Sequence, residues 1–354
     1  MEKNFLISTG GSGGHVIPAI IFYEHLSKDA NIIISTDKRG CRFIDQKAYD
    51  LEIIDTPRLN SLFLLPLNLL KVFFLSVKSF IFLKKRKINL IISTGGYMSF
   101  PLILAGKFLK IKIFLFEPNL VLGRTNRFFL NSCEKIFCYT DKIKKFPDRF
   151  KKKIAIIKPL VRKVFYDGKA IDKQFQKFTI LVVGGSQGAS FFDGSLKFSI
   201  AKLAKEFSIK IIHQTNEKNI SNLKKFYSKN KIDNLIFDYE NSFINKIVES
   251  DLCITRAGAS ILAELSILNT PFVAVPLPSS KDKHQLENAN FYKDNGCCWV
   301  IDQSFFDEKI EQLIRDIYQK KTEFLTKKEN LKRLNYQNTW NNVNQKIIKI
   351  INEN

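Results

Sequence analysis

The chain has 354 residues, 45% of them hydrophobic, with 56 Lys and Arg against 34 Asp and Glu, a formal charge of +22. That length exceeds one ordinary core and suits two domains, and the apolar content in alternating strand-like and helical patterns excludes a disordered chain. The charge suits an anionic partner such as nucleic acid, an acidic membrane surface or a phosphorylated substrate. It follows equally from a general preference for Lys, Ile, Phe and Asn, so by itself it selects none of these.

In chain order, the first apolar β-branched run, "FLIS", begins at residue 5, with no charged leader or small-residue cleavage site before it. This reads as an unexported protein. "NIIIST", "LEIID", "LIIST", "IKIFLF" and "KIFCYT" follow in the first half, then "TILVVGG", "IKIIHQT", "LIFDY", "LCIT", "PFVAVPL" and "CWVID" in the second. Helix-length segments separate many of them, which predicts doubly wound parallel sheets whose strands are buried on both faces. Each half opens alike, strand then glycine-rich turn then helix, at "FLISTGGSGGHVIPAI" and "TILVVGGSQGASFFDGSL". The expected fold class is therefore α/β, with two Rossmann-like domains joined near residues 159 to 178, where Pro159, Gly168 and mixed charge mark a boundary.

The six cysteines form no C-x-x-C pair, which predicts reduced thiols, and no H-E-x-x-H or D-x-D metal signature occurs. Ten of the 16 glycines fall in four short segments after strand-like runs: Gly10, Gly11, Gly13 and Gly14; Gly95 and Gly96; Gly184, Gly185 and Gly188; and Gly258. Ligands gather at the carboxyl ends of strands in open α/β sheets, so these loops are candidate binding sites as well as tight turns. The dinucleotide pattern G-x-G-x-x-G fails at the first loop, where Val16 stands in the third place, and at "GGSQGA"; the P-loop pattern is absent. A dehydrogenase and a P-loop NTPase are both disfavoured.

Six motifs occur in order: "GGSGGHVIPA", "GGYMSFP" at 95 to 101, "FEPNLVLGRTNR" at 116 to 127, "GGSQGA" at 184 to 189, "TRAGASILAEL" at 255 to 265 and "PLPSSKDKHQLENA" at 276 to 289. Together they resemble the MurG-type glycosyltransferases, over roughly residues 5 to 300. The resemblance implies a GT-B fold, two Rossmann-like domains facing across a cleft, with bounds 1–160 for the acceptor and membrane-associating domain and 161–334 for the UDP-sugar domain. It implies that residues 335–354 form a helix crossing back to the first domain. The implied reaction is inverting transfer of N-acetylglucosamine from UDP-N-acetylglucosamine to the undecaprenyl-pyrophosphoryl muramoyl-pentapeptide of peptidoglycan synthesis. No cofactor or metal is expected beyond the donor substrate.

An inverting displacement needs an activated hydroxyl, a positioned sugar and a stabilised leaving diphosphate. The resemblance places Ser186 on the donor diphosphate, Arg162 on the donor side, Glu264 on the ribose and Gln285 on the sugar, with His284 a weaker candidate. It has Ala259, Ser260, Ile261, Leu262 and Ala263 lining the donor site, and Glu240 meeting uracil through its main chain. Ser12, Gly13 and Gly14 form the acceptor loop, Asn119 lies across from it, and Tyr97 and Ser99 are expected on the rim of the second loop. His15 reads either as a hydrogen-bonded turn residue or as a general base, with Glu117 the rival base. The family's usual His-Glu-Gln-Asn is Phe116-Glu117-Pro118-Asn119 here, and the family glycine after "HQT" is Asn216, a residue that tolerates the left-handed conformation.

Residues 61 to 87, "SLFLLPLNLLKVFFLSVKSFIFLKKRK", form the most hydrophobic window, with Lys71, Lys78 and Lys85 seven apart along one helical stripe. That pattern predicts a helix lying in the interface of an anionic membrane; a core helix and a spanning helix are the alternatives. The expected location is the cytoplasmic face of the inner membrane, as a peripheral protein, with the undecaprenyl-linked acceptor and other cell-wall synthesis proteins as partners and no nucleic acid. A UDP-sugar-dependent diacylglycerol glycosyltransferase, a non-catalytic membrane-bound scaffold and a nucleic-acid-binding protein are the competing readings.

Overall fold

The computed structural model describes residues 2–57, 65–168, 177–238 and 243–354, with the backbone alone at 186–189 and 195. The chain divides into two compact units, Met1–Arg162 with Thr339–Asn354, and Lys163–Asn338.

In the first unit the described residues run β1 (Asn4–Ser8), α1 (Gly13–Leu26), β2 (Asn31–Thr36), β3 (Leu51–Ile53), α2 (Leu65–Lys85), β4 (Leu90–Ser93), α3 (Phe100–Phe108), β5 (Lys112–Glu117), α4 (Arg124–Phe129), β6 (Lys135–Cys138) and β7 (Ile154–Ile156). Their strands form a seven-stranded parallel sheet in the order β3-β2-β1-β4-β5-β6-β7. The order reverses between β1 and β4, where the loops after both strands open at the carboxyl edge. Such a switch point is where an open α/β sheet receives ligands. Leu6, Ile7, Ile91, Ile92, Phe114 and Leu115 are fully buried, as strands covered on both faces require. The three-residue β7, "IAI" after a lysine run, is one strand that the apolar patterning does not announce.

The second unit contains α5 (Lys163–Asp167), β8 (Phe178–Val183), α6 (Gly185–Phe192), α7 (Ser195–Leu203), β9 (Ile209–Gln214), α8 (Glu217–Lys229), β10 (Asp233–Phe237), α9 (Phe243–Glu249), β11 (Leu252–Thr255), α10 (Ala259–Ile267), β12 (Phe272–Ala274), α11 (His284–Asp294), β13 (Cys298–Val300), α12 (Phe306–Gln319) and α13 (Lys321–Leu334). The described strands form a six-stranded parallel sheet, β10-β9-β8-β11-β12-β13, with the switch point between β8 and β11. The amphipathic spacing of α12 buries Phe306, Ile310, Ile314 and Ile317 on one face.

The last helix, α14 (Trp340–Asn352), belongs to the first unit. Thr339 caps it, accepting a hydrogen bond from the Asn342 N–H at 3.2 Å. Its Val343, Ile347, Ile350 and Ile351 stripe enters the same core as Phe5, Ile7, Phe22 and Phe116, a burial of roughly 6–12 kcal/mol before entropy is counted. Trp340 stacks on His25 of α1 with ring centroids 3.7 Å apart. Burial lowers the His25 pKa to about 4, against a smaller opposite pull from Asn344.

Helix α2 turns only a narrow, mixed stripe inward: Asn68, Val72, Ser79 and Leu83 are buried. Leu67, Leu69, Leu70, Phe73, Phe74, Val77, Phe80 and Ile81 are exposed, Phe73, Phe74 and Ile81 each by 61%. A core helix would show the reverse. The 21-residue α2 is long and apolar enough to cross a membrane by length and composition, but its inward stripe packs on α3 within the first unit. Lys71 and Lys78 are exposed beside the apolar arc, and Lys78 reaches Glu52 at 3.4 Å. Residues 61 to 64 of the apolar window lie outside the described residues.

Candidate functional site

In the first unit, the loop after β1 turns through Gly10 (φ +147°) and Gly11 (φ +81°), and the loop after β4 through Gly95 (φ +92°) and Gly96 (φ +86°). Side chains are excluded for a second reason. A Cβ on Gly10 would lie 2.7 Å from Asp37 Oδ1, and one on Gly96 would lie 2.4 Å from Met98 Sδ. Ser12 is the N-cap of α1 in extended conformation, with no side-chain capping bond, so Gly13 and Gly14 form the first helical turn rather than a loop. Their N–H groups precede the first bonds back to Ser12, made by His15 and Val16, and there is no acidic side chain in that turn. An anion is the natural partner of such a terminus.

His15 bridges the two glycine loops, its Nδ1 lying 2.8 Å from the Thr94 carbonyl. A carbonyl only accepts, so Nδ1 carries the proton and the lone pair of the neutral ring is on Nε2. A Cβ on Gly95 would meet this ring at 3.3 Å and Asn126 Nδ2 at 3.7 Å, which sets His15 beside the Glu117 cluster.

Glu117, at the end of β5, is 3% exposed. Its Oε1 accepts from the Asn119 N–H at 3.2 Å and Asn119 Nδ2 at 3.1 Å. Its Oε2 accepts from the Gly123 N–H at 2.7 Å and Asn126 Nδ2 at 3.0 Å. Burial raises its pKa, and those donors offset only part of the rise. A carboxylate engaged by four donors from residues 119 to 126 shapes its own loop and is poorly placed to take a proton from outside it. Asn119 likewise turns inward to Glu117.

The second glycine loop also differs from expectation. Ser99 is fully buried and donates its hydroxyl to the Gly95 carbonyl at 3.1 Å, so it braces the loop from beneath instead of standing on its rim. Tyr97 is half-buried and its hydroxyl accepts from Arg39 Nη2. Arg39 in turn lies on Asp37, which is 1% exposed and also accepts the Gly11 and Gly40 N–H groups at 2.7 and 2.9 Å. Burial alone would raise the Asp37 carboxyl; the two N–H groups and the Arg39 guanidinium outweigh it and hold the pKa below its ordinary value. Neither Asp37 nor Arg39 was expected from the sequence. The available signal was an acid at the carboxyl end of the second strand, a position that Rossmann folds use for ligand-facing carboxylates.

In the second unit, the loop after β8 makes one left-handed residue, Gly185 (φ +63°), whose N–H donates to Gln214 Oε1 at 3.3 Å. Helix α6 starts at Gly185 with Gly184 as N-cap, so Ser186 lies in the first helical turn and is not itself the cap. Its side chain, and all of Glu240, lie outside the described residues. Gly258 caps α10, and the N–H groups of Ala259, Ser260 and Ile261 precede the first helical bond, from Leu262 to Gly258. Leu262 and Ala263 do not line a surface. They are 0% and 1% exposed, packed in the core, because the helix must bury that face on the sheet. Glu264 is also buried, at 6%.

Gln285 Oε1 accepts from the Ala257 N–H at 3.2 Å and the Leu277 N–H at 2.9 Å, tying the loops after β11 and β12 together. These bonds use the amide oxygen, so Nε2 is the atom of the amide that can donate. His284 Nδ1 lies 2.8 Å from the Lys281 carbonyl on the exposed side. Arg256, 5% exposed, donates to the Val275 carbonyl at 3.1 Å and Gln303 Oε1 at 2.7 Å and lies over the rings of Phe191 and Phe192. Burial lowers its pKa to about 10, so it remains cationic at neutral pH. This buried cation, invisible as a site residue in the sequence, sits two residues before the α10 cap. Asn216 needs no left-handed turn: it caps α8 at φ −69°, ψ 147°. Arg162 is the last residue of the first unit. Among the described residues no three His, Cys, Asp or Glu side chains group as metal ligands.

The glycosyltransferase family 28 N-terminal domain matches residues 5–138, and its C-terminal domain matches residues 179–342. The undecaprenol-linked N-acetylglucosamine transferase of Pelagibacter ubique is 49% identical, with all of both chains covered. The chain belongs to the MurG family of glycosyltransferases. The enzyme of the same name from Rickettsia felis is 31% identical over 89% of this chain and 91% of its own. The crystal structure of Acinetobacter baumannii MurG superposes with a TM-score of 0.79 at 22% identity, covering 99% of this chain and all of that one. The Neisseria meningitidis UDP-GlcNAc 2-epimerase bound to UDP-GlcNAc gives 0.68 at 13% identity, over 99% and 100% of the two chains. These structures share the GT-B arrangement of two Rossmann-like parallel sheets, and the MurG resemblance read from the six motifs holds along the whole chain.

Proposed function

We propose that this chain transfers N-acetylglucosamine from UDP-N-acetylglucosamine to the undecaprenyl-pyrophosphoryl muramoyl-pentapeptide, with His15 as the base. The observation that carries the activity is the 49% identity along the entire length of a relative named for it. The muramyl hydroxyl oxygen attacks the anomeric carbon from the face opposite UDP. The hydroxyl proton passes to His15 Nε2, the bond from the anomeric carbon to the diphosphate oxygen breaks, and UDP leaves with that electron pair. The bond from Nδ1 to the Thr94 carbonyl supports this role, because it fixes the tautomer and steadies the imidazolium once formed. Glu117 shapes the loop after β5 through Asn119, Gly123 and Asn126 rather than taking the proton.

On the donor side, the N–H groups of Ala259, Ser260 and Ile261 supply donors where the diphosphate develops charge, with Arg256 adding positive potential from within the domain. Ser186 serves the diphosphate, Glu264 the ribose, the Glu240 main chain the uracil, Gln285 Nε2 the sugar and Arg162 the donor. The acceptor is met by Ser12 and by the first turn of α1 at Gly13 and Gly14, with Tyr97 at the edge. The exposed apolar arc of α2, flanked by Lys71 and Lys78, supports peripheral attachment to an anionic bilayer, which brings the site to the lipid diphosphate.

The test is transfer of radiolabel from UDP-N-acetylglucosamine to the muramyl lipid by purified protein. No transfer, together with no UDP-dependent rise in melting temperature, would overturn the assignment. Changing Phe73, Phe74 and Ile81 together to Ser should abolish binding to vesicles containing anionic lipid. Because these side chains are exposed, stability should move by less than about 0.5 kcal/mol per site. Retained vesicle binding would refute the membrane role of α2.

A further inference from the structure

One guanidinium in the first unit is used by none of the roles above. Arg39 follows β2, and its side chain is 35% exposed while Asp37 beneath it is 1% exposed. Asp37 Oδ2 accepts Arg39 Nε at 3.0 Å and Nη2 at 2.8 Å, and Nη2 also donates to the Tyr97 hydroxyl. The Tyr97 ring centroid is 5.5 Å from the guanidinium carbon. Asp37 Oδ1 is already taken by the Gly11 and Gly40 N–H groups. The guanidinium plane is thus fixed by partners on two edges, and Nη1 has no protein partner among the described residues. A Cβ on Gly11 would lie 3.4 Å from Nη2, so the cation rests against the glycine loop that leads into Ser12 and His15.

We propose that Arg39 is a substrate-binding residue of the acceptor side, donating from Nη1 to the diphosphate of the lipid-linked substrate, with Asp37 and Tyr97 as its positioning residues. The proposal rests on the transferase reading and adds a residue to it. Clamping the loop is complete with Asp37 and the two N–H groups. The guanidinium adds a preorientated charge at the surface of that loop, beside an uncapped helix start that has no acidic side chain. Arginine suits the task because its planar fork can hold a carboxylate on one edge and a phosphate oxygen on another. A lysine ammonium lacks the fixed geometry to do both.

The experiment is steady-state transfer with a short-chain, water-soluble polyprenyl diphosphoryl muramyl-peptide, comparing wild type with Arg39→Lys, Arg39→Ala and Tyr97→Phe. UDP affinity is measured alongside by calorimetry. Loss of one charged hydrogen bond predicts an acceptor KM raised about ten- to a hundredfold in Arg39→Ala. Arg39→Lys should fall between, Tyr97→Phe should show a smaller rise, and UDP affinity should be unchanged. Inorganic pyrophosphate should compete with the acceptor in wild type and lose at least tenfold in potency in Arg39→Ala. An acceptor with its peptide carboxylates amidated should show the same loss, since the bond is to the diphosphate; a loss confined to the carboxylate-bearing acceptor would overturn the proposal. A variant with reduced kcat but unchanged acceptor KM and unchanged pyrophosphate inhibition would also overturn it, as a purely structural effect. A wild-type protein that transfers nothing would overturn the transferase reading instead.

Discussion

The two glycine loops that open the halves are similar in sequence and different in construction. "GGSGGH" is gripped from all sides: Gly10 and Gly11 are both left-handed, Asp37 holds one N–H, and His15 ties the helix start to the loop after β4. "GGSQGA" has left-handed Gly185, with nothing among the described residues within 4 Å of the place a Cβ would take, and among the described residues one brace, from Gln214. In the second half the bracing has moved to the neighbouring loops, held by Gln285 and the buried Arg256. Similar motifs therefore do not imply similar rigidity. The first half is preorganised at its glycine loop; in the second, most of the described braces lie around the loop.

The sharpest way to break this contrast is at His15. His15→Ala should reduce turnover by about 10² to 10⁴, the range for losing a general base, with UDP affinity unchanged because the donor loops are in the other unit. Normal turnover in a stopped-time transfer assay would remove His15 from the mechanism.

Acid offers a second contrast. His25 is buried neutral between α1 and α14, with its pKa lowered from 6.5 to about 4. A lowered histidine contributes stability that is complete above pH 6.5 and is lost as pH falls from 6.5 through 4, because the unfolded chain binds the proton first. The loss is about 3 kcal/mol at most. The second unit instead holds Asp193, whose pKa falls below its ordinary 3.8: burial pushes it up, and bonds from His213, Thr215 and Asn219 more than reverse that. Its contribution lasts above the ordinary carboxyl pKa and fades only as pH drops through the lower folded value. Denaturant melts at pH 7 and 5 should weaken the first unit alone, and His25→Phe should flatten that dependence. Equal weakening of both units would contradict the assignment.

The smallest effects test the loops directly. Gly10→Ala combines φ +147° with a 2.7 Å approach to Asp37 and should cost about 3 kcal/mol by chemical denaturation. Gly185→Ala meets no described residue within 4 Å and should cost only the left-handed penalty of about 1 kcal/mol. Similar costs at the two sites would show the loops to be equally constrained.

Much of the fold was legible because strands buried on both faces must be continuously apolar, and helices between them fix a parallel order. The site was legible as motifs but not as side-chain directions. "GGYMSFP" contains Ser99 without revealing that its hydroxyl turns under the loop to Gly95, and "ASILAEL" does not reveal that Leu262 and Ala263 face the sheet. Arg39 and Tyr97 are 58 residues apart in sequence, and no local pattern joins them. β7 escaped because its short "IAI" directly follows Lys151, Lys152 and Lys153, which hide it in a charged run. The outward Phe and Leu of α2 were readable as hydrophobicity, but the inward stripe of Asn68 and Ser79 needed the packing to be seen.

The return of α14 gives the chain an order of completion. The first unit's core includes Val343, Ile347, Ile350 and Ile351, so the second unit is in effect an insertion between its two parts. During synthesis the second unit, Lys163–Asn338, is made before α14, so the first unit's core is completed only after the second unit has been translated. The surface that α2 offers to lipid and the turn that carries His15 therefore both wait on α14, and a ribosome stalled short of residue 339 would leave behind a second unit with no finished acceptor side.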